Sequence, residues 1–175
     1  MEHKICCLTG HRPKGFPWDY RNVDGDEHQE YLYILQKKVI DLIENHGFTH
    51  FISGMAIGAD TDFASICLDL RDSRFPHITV EGAIPCPNQD ARWTPNDKET
   101  YRELLKRLDT TTQVSPRYSY DCFQKRNEYM VDAADQVIAV WNGEKRGGTF
   151  NAICYAKKKQ KPVYFIFLNG VRVEI

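Results

Sequence analysis

Hydrophobic positions along the chain fall into two kinds of segment, short apolar runs and longer stretches with helical periodicity. Short apolar runs predict buried strands. Five clear runs lie at 5–8, 48–52, 78–84, 136–141 and 163–168, and a weaker one lies at 112–115. Apolar residues spaced three or four positions apart predict helices at 31–46, 63–70, 101–108, 121–134 and 148–159. Asp60 is expected to cap the second of these helices.

The order of these elements indicates the fold class. Strands that are apolar throughout, each followed by a helix, are typical of a parallel sheet covered on both faces. The sequence contains no evident linker or repeat. We therefore predict an α/β fold, a single Rossmann-like three-layer domain over residues 1–175 with a mostly parallel sheet of about six strands. In such sheets, ligands bind at the carboxyl ends of the strands.

Composition narrows the class of partner. Lys and Arg number 23 against 24 Asp and Glu, for a net charge of −1. A protein that mainly clamps nucleic acid is expected to be strongly basic, so this balance argues against such a role. No apolar stretch of about 18 residues predicts a membrane span, and the first residues lack the pattern of a signal peptide. With six cysteines and no CxxC spacing, we expect a cytoplasmic protein without a metal site or a built-in cofactor.

Three strands are predicted to end in loops suited to binding phosphate. Glycines at a strand-to-helix turn bring backbone N–H groups close to a ligand, and the following helix N-terminus adds partial positive charge. The spacing matches neither the P-loop nor the G-x-G-x-x-G dinucleotide fingerprint. The candidate ligand-binding residues in these loops are Gly10, His11, Arg12, Ser53, Gly54, Ala56, Gly58, Asp60, Gly147, Gly148 and Thr149.

Four further candidates lie outside the glycine-rich loops. Arg126 falls one position off the apolar stripe of the fourth predicted helix, so we expect its side chain to lie outside the core and to suit a phosphate. Asn127 falls on that stripe, where its amide either ties down a loop or contacts a ligand. Arg92 is a similar candidate for phosphate. Trp93 either stacks on a base or packs as part of a lid.

Five short motifs in order resemble one known family. They are TGHRP at 9–13, SGMAIGAD at 53–60, IPCPNQDARW at 84–93, KRNEYMVDAAD at 125–135 and GGT at 147–149. The combination is similar to the YpsA-type branch of the SLOG superfamily, which also contains lonely-guy phosphoribohydrolases, molybdenum-cofactor carrier proteins and DprA. The resemblance covers Ile5 to Leu168. It implies a Rossmann-like fold that binds a nucleotide or nucleotide-derived ligand.

The resemblance to the lonely-guy enzymes is incomplete at the positions that matter for hydrolysis. Arg126 and Met130 match their arginine-containing helix motif, whereas their catalytic glutamates are replaced here by Asn151 and Ala152. Breaking an N-glycosidic bond calls for a carboxylate near the reacting carbon. Asp60 and Glu144 are the candidates for that role, with Asp62 as a third and Arg126 as a catalytic partner.

Three hypotheses therefore stand. The first is a cytosolic sensor or regulator that binds a small phosphorylated nucleotide derivative, alone or as a homo-oligomer. The second is an N-glycosidic hydrolase that acts on a nucleotide or an ADP-ribose-like compound. The third is a DprA-like protein that binds single-stranded DNA, and the near-neutral charge argues against it.

Overall fold

A computed structural model of the protein describes residues 3–170. These residues form one six-stranded sheet in the order β4-β3-β2-β1-β5-β6, and every neighbouring pair is parallel. The strands are β1 (Lys4–Gly10), β2 (Phe48–Ser53), β3 (Thr79–Ile84), β4 (Thr110–Gln113), β5 (Gln136–Trp141) and β6 (Val163–Phe167). The Rossmann-like α/β fold predicted from the hydrophobic pattern is confirmed.

Helices cover both faces of this sheet. They are α1 (Asp26–His46), α2 (Ala59–Ser73), α3 (Pro95–Arg107), α4 (Cys122–Ala133) and α5 (Gly147–Lys158). The first three helices bury their apolar stripes against one face, where most of the core lies, and α4 and α5 pack on the other. No helix within residues 3–170 has both the length and the apolar composition of a membrane span.

Several elements differ from their predicted bounds where the sequence is polar, and helix α3, for example, begins at Pro95 rather than near Tyr101. Helix α1 begins at Asp26 rather than near Tyr31, because its first turn carries acidic residues that favour a helix N-terminus but interrupt the apolar pattern. Strand β4 lies at Thr110–Gln113, two residues earlier than predicted, since this polar edge strand has no apolar run to mark it. Asp60 is also not the cap of α2: Gly58 occupies that position, and Asp60 lies in the first turn.

The order in which successive strands are added to the sheet reverses at its centre, next to β1. From β1 the chain moves through β2 and β3 to β4 at one edge, whereas β5 and β6 lie on the other side of β1. Gly10 at the end of β1 is in register with Val140 near the end of β5, so the two following loops leave the sheet at the same level. A crevice at such a reversal, outside the carboxyl ends of the strands, is where open α/β sheets bind ligands.

Candidate functional site

A cavity of about 340 Å³ lies where the strand order reverses, at the ends of β1 and β5. We call it the switch-point cavity. Its walls come from the end and following loop of β1, the segment before and at the start of α2, one side of α4, and the first turn of α5. The lining residues are Leu8, Thr9, Gly10, His11, Arg12, Lys14, Gly15, Ala56, Asp60, Phe123, Arg126, Asn127, Met130, Gly148 and Thr149.

The structure brings together most of the residues predicted as a site from the sequence. The predicted residues that line the cavity are Gly10, His11, Arg12, Ala56, Asp60, Arg126, Asn127, Gly148 and Thr149. The predicted residues that do not line it are Ser53, Gly54, Gly58, Arg92, Trp93, Glu144 and Gly147. Whether any of these residues contacts a ligand stays a prediction.

Two of the glycines outside the cavity allow close approach of the chain to itself. A Cβ on Gly54 would lie 2.7 Å from both Arg126 Nη1 and Asp60 Oδ2. Gly58 has a φ of +116°, and a Cβ there would lie 2.4 Å from the carbonyl oxygen of His11. No larger residue fits either position without a shift of its neighbours, so these two glycines shape the walls of the site.

Three other predicted residues lie outside the cavity, each in a different environment. Ser53 is fully buried, and its hydroxyl donates to the carbonyl of Asp60 and accepts from the amide of Met55. Arg92 is exposed. Trp93 packs edge-on against Tyr101, with ring centroids 5.2 Å apart.

The structure corrects the expectation for Arg126. Its side chain is not outside the core, since the residue is only 5% exposed. The guanidinium donates to the backbone carbonyls of Gly54 and Ala83 and to Oδ1 of Asn127. Backbone carbonyl groups at the ends of β2 and β3 therefore accept the hydrogen bonds that allow this charge to be buried. Hydrophobic periodicity in the sequence gives no sign of such a site. Burial lowers the pKa of Arg126, and Asp60 beside it opposes that effect.

Asn127 lies next to this arginine with its amide in a fixed orientation. The Nε–H of Arg126 donates to Oδ1 of Asn127 at 2.9 Å. Because an arginine nitrogen can only donate, the amide must turn its oxygen toward Arg126 and its Nδ2 away. That Nδ2 lies 4.0 Å from where a Cβ on Gly148 would be, and it donates to no acceptor among residues 3–170. The residue is only 9% exposed, but Nδ2 itself remains accessible to solvent, so this oriented donor faces the open cavity without a protein partner among residues 3–170.

Asp60 supplies a carboxyl group to the same cavity. Burial raises the pKa of Asp60 to about 6, and the neighbouring charge of Arg126 counters part of that rise. One carboxyl oxygen accepts from the amide of Ala56 at 3.3 Å. At neutral pH a carboxyl group with this pKa is mostly ionised, and it titrates close enough to neutrality to exchange a proton with a ligand.

The opening of the cavity is positively charged. Arg12 is exposed, with its guanidinium 5.5 Å from the centre of the Phe123 ring, and Lys14 lines the cavity nearby. Helix α5 begins at this opening with no side-chain cap and no acidic residue in its first turn. Its first N–H groups and helix dipole thus face the cavity without a competing anion from that turn.

Hydrogen bonds between loops hold these walls together. The amide of Asn142 donates to Nε2 of His11 at 3.2 Å, and the Asn142 side chain donates to the carbonyl of Gly15. The carbonyl of His11 accepts from the amide of Ala59, which joins the β1 loop to α2. Burial lowers the pKa of His11, which favours the neutral ring whose nitrogen can accept.

Sequence reasoning missed Lys14, Phe123 and Asn142 as parts of the site. Lys14 follows Arg12 by two positions in the same loop, a charge pattern that could have suggested it. Phe123 falls on the apolar stripe of the fourth predicted helix, a pattern typical of a core residue. The part played by Asn142 depends on a contact between loops more than 120 positions apart in sequence, for which a single sequence gives no signal.

Together, the fold and the cavity define a Rossmann-like α/β protein with a candidate ligand site at the reversal point of its sheet. The sequence model of the YspA SLOG family matches residues 6–169. The chain therefore belongs to the YspA SLOG family, and the resemblance found in its motifs is confirmed.

Similar proteins agree with this assignment. The uncharacterised SPbeta prophage-derived protein YoqJ of Bacillus subtilis is 33% identical over 130 residues, which cover 67% of this chain and 75% of YoqJ. The UPF0398 protein of Bacillus pumilus is 26% identical over 175 residues, covering 98% of this chain and 92% of that protein. The UPF0398 protein YpsA of Bacillus subtilis is 23% identical over 182 residues, with coverage of 98% and 97%.

Proposed function

We propose that the protein binds a phosphorylated, nucleotide-derived ligand in the switch-point cavity, as a sensor or regulator. The observation that carries this proposal is the side-chain Nδ2 of Asn127. It is a donor oriented by Arg126, open to the cavity beside the first turn of α5, and without an acceptor among residues 3–170. An amide N–H held in this orientation is ready to donate to a phosphate oxygen placed in the cavity.

The charges around the cavity support an anion rather than a neutral ligand. Arg12 and Lys14 supply two cationic side chains at its opening, and the uncapped N-terminus of α5 supplies backbone donors. Such a combination of helix N-terminus and cationic side chain suits phosphate. Membership of the SLOG family supports a nucleotide as the bearer of that phosphate.

A melting screen with matched ligand pairs tests the proposal. The protein is heated with adenosine, guanosine, cytidine and uridine, and with their mono- and diphosphates. A ligand at 100 times its Kd adds about 2.7 kcal/mol to the free energy of unfolding, which a thermal shift readily detects. We expect stabilisation by phosphorylated members only. Equal shifts by a nucleoside and its phosphate, or no shift with any compound, would contradict the proposal.

Gly148→Asp is the matched variant for this screen. An acidic residue in the first turn of a helix is favourable, so α5 and the fold should be as stable as before or more so. Its carboxylate would meanwhile occupy the place proposed for the phosphate, next to Nδ2 of Asn127. We expect the variant to fold normally and to lose the nucleotide-dependent shift, whereas Gly148→Ala should retain most of it.

One observation also favours a second candidate function, hydrolysis of the N-glycosidic bond. Asp60 places a carboxyl group of near-neutral pKa, about 6, inside the same cavity, although the glutamate positions of lonely-guy enzymes hold Asn151 and Ala152 here. In this reaction water attacks C1′ of the ribose, the bond to the base breaks, and the base leaves with a proton. Glu144 is an exposed residue outside the cavity and is the poorer candidate for this role.

Chromatography after incubation with nucleoside monophosphates separates the two functions. A hydrolase would release free base, and Asp60→Asn would abolish that release while leaving nucleotide-dependent stabilisation in place. Binding without any release of base would leave the sensor or regulator as the function.

A further inference from the structure

A second concave surface adjoins the switch-point cavity on the side of α4 and α5. This groove has a volume of about 640 Å³ and runs between the two helices. We call it the α4–α5 groove. Its lining combines aromatic, amide and charged side chains, namely Tyr120, Asp121, Phe123, Gln124, Asn151, Tyr155 and Lys158.

The most exposed aromatic residue in this groove has no partner within the described chain. Tyr120 is 98% exposed, and its ring packs against no other ring among residues 3–170. Tyr155 at the far end is held in place by its hydroxyl, which donates to the carboxylate of Asp132. An aromatic ring kept on the surface of a polar groove is available to stack on a flat ligand.

The groove also offers a hydrogen-bonding edge. Asn151 is exposed on α5, and its amide makes no hydrogen bond within residues 3–170. An amide carries a donor and an acceptor side by side, the arrangement that pairs with the edge of a nucleobase. Aromatic rings alone would suit many apolar ligands, whereas a ring together with an amide favours a base.

The groove and the cavity share part of their walls. Phe123, Asn127 and Gly148 line both, so the unpaired donor of Asn127 lies at their junction. From Gly148 the groove follows α5 to Tyr155, a distance of about 10 Å at the helical rise of 1.5 Å per residue. A phosphate alone cannot bridge that length, but a phosphate joined to a ribose and a base can extend along it.

We propose that the α4–α5 groove is the nucleobase subsite, and that the ligand class is therefore a nucleotide rather than a sugar phosphate. The base stacks on Tyr120, its edge faces Asn151, and its phosphate lies at the first turn of α5. This proposal rests on the phosphate site proposed above, and it adds a contact that the phosphate site does not require.

Calorimetric titration with matched probes tests it. The probes are ribose 5-phosphate and the four nucleoside 5′-monophosphates. All of them contain a ribose and a phosphate, but only the monophosphates carry a base. We expect at least one monophosphate to bind about tenfold or more tightly than ribose 5-phosphate, as stacking of one base on an aromatic ring allows. Tyr120→Ala should remove that advantage, and Tyr120→Phe should keep it.

Tyr118→Ala is the matched control, since Tyr118 is also exposed, at 71%, but does not line the groove. It should leave all affinities unchanged, and Tyr120→Ala should leave the affinity for ribose 5-phosphate unchanged. Equal affinity for ribose 5-phosphate and every monophosphate would overturn the base subsite but not the phosphate site. Binding of no probe would overturn both. A Tyr120→Ala variant that changes only the oligomeric state in sedimentation would instead assign Tyr120 to an interface between copies of the chain.

Discussion

Replacing Arg126 should strongly destabilise the protein. Three groups depend on its guanidinium: the carbonyl oxygens of Gly54 and Ala83 and the amide oxygen of Asn127. The carboxyl group of Asp60 also lies beside it, since Arg126 Nη1 and Asp60 Oδ2 both lie 2.7 Å from the position of a Cβ on Gly54. Arg126→Met keeps much of the apolar stem but removes every donor and the charge.

The size of the effect follows from the burial of these groups. Arg126 is 5% exposed, so water does not readily replace the lost donors. Each buried acceptor left without its donor typically costs about 1 to 3 kcal/mol, and three acceptors lose theirs here. We therefore expect Arg126→Met to lower the free energy of unfolding by about 3 kcal/mol or more at pH 7. The exposed Arg12, replaced by alanine, should change it by no more than about 0.5 kcal/mol.

Urea denaturation followed by circular dichroism measures these differences. The loss in Arg126→Met should be smaller at pH 5.5 than at pH 8, because protonated Asp60 needs no counter-charge and its pKa of about 6 falls between the two. The double variant Arg126→Met with Asp60→Asn should regain part of the stability at pH 8. A loss below about 1 kcal/mol in Arg126→Met, with no dependence on pH, would refute the reasoning and return Arg126 to the surface role first expected of it.

Three further predictions concern the loops and a second buried carboxyl group. Gly58→Ala should lower the melting temperature more than Gly47→Ala, because both positions have positive φ but only a Cβ at Gly58 would collide with the backbone of His11; equal losses would contradict this. Burial raises the pKa of Asp62 to about 6, so the folded protein holds a proton that the unfolded chain releases between about pH 4 and pH 6. The unfolding free energy should therefore fall as pH rises through that range, by at most about 1.4 kcal/mol per pH unit, and Asp62→Asn should remove this contribution in denaturation curves measured across the range. Asn142→Ala should weaken nucleotide binding in calorimetry because it removes the side-chain hydrogen bond to the carbonyl of Gly15 and leaves only the backbone bond to His11 between the two loops; unchanged affinity would show that the loops hold their positions without it.

The fold could be predicted from the sequence because its signals are local. Apolar runs such as 136–141 need a buried strand, and the observed β5 has those same bounds. The polar strand β4 and the first turn of α1 gave weak signals, since edge positions and helix starts bury little apolar surface.

The candidate site could be predicted only in part. Glycine-rich turns after strands mark the carboxyl edge of a sheet, and Gly10 and Gly148, which follow two such strands, both line the cavity. A glycine that touches a ligand and one that touches the chain, such as Gly58, look alike in a sequence. Arg126 was misplaced because periodicity sorts residues by hydrophobicity, whereas its burial depends on carbonyl groups from distant strands.

The most direct test of the phosphate site is a titration of ¹⁵N-labelled protein with adenosine 5′-diphosphate, followed by ¹H–¹⁵N correlation spectra. If a phosphate binds at the junction of the cavity and α5, the backbone amides of Gly148 and Thr149 and the side-chain amide of Asn127 should shift together and saturably. The same signals should stay unmoved with adenosine, and in Gly148→Asp with either compound. Saturable shifts confined to residues away from the first turn of α5, or identical shifts with adenosine and its diphosphate, would contradict the proposed site.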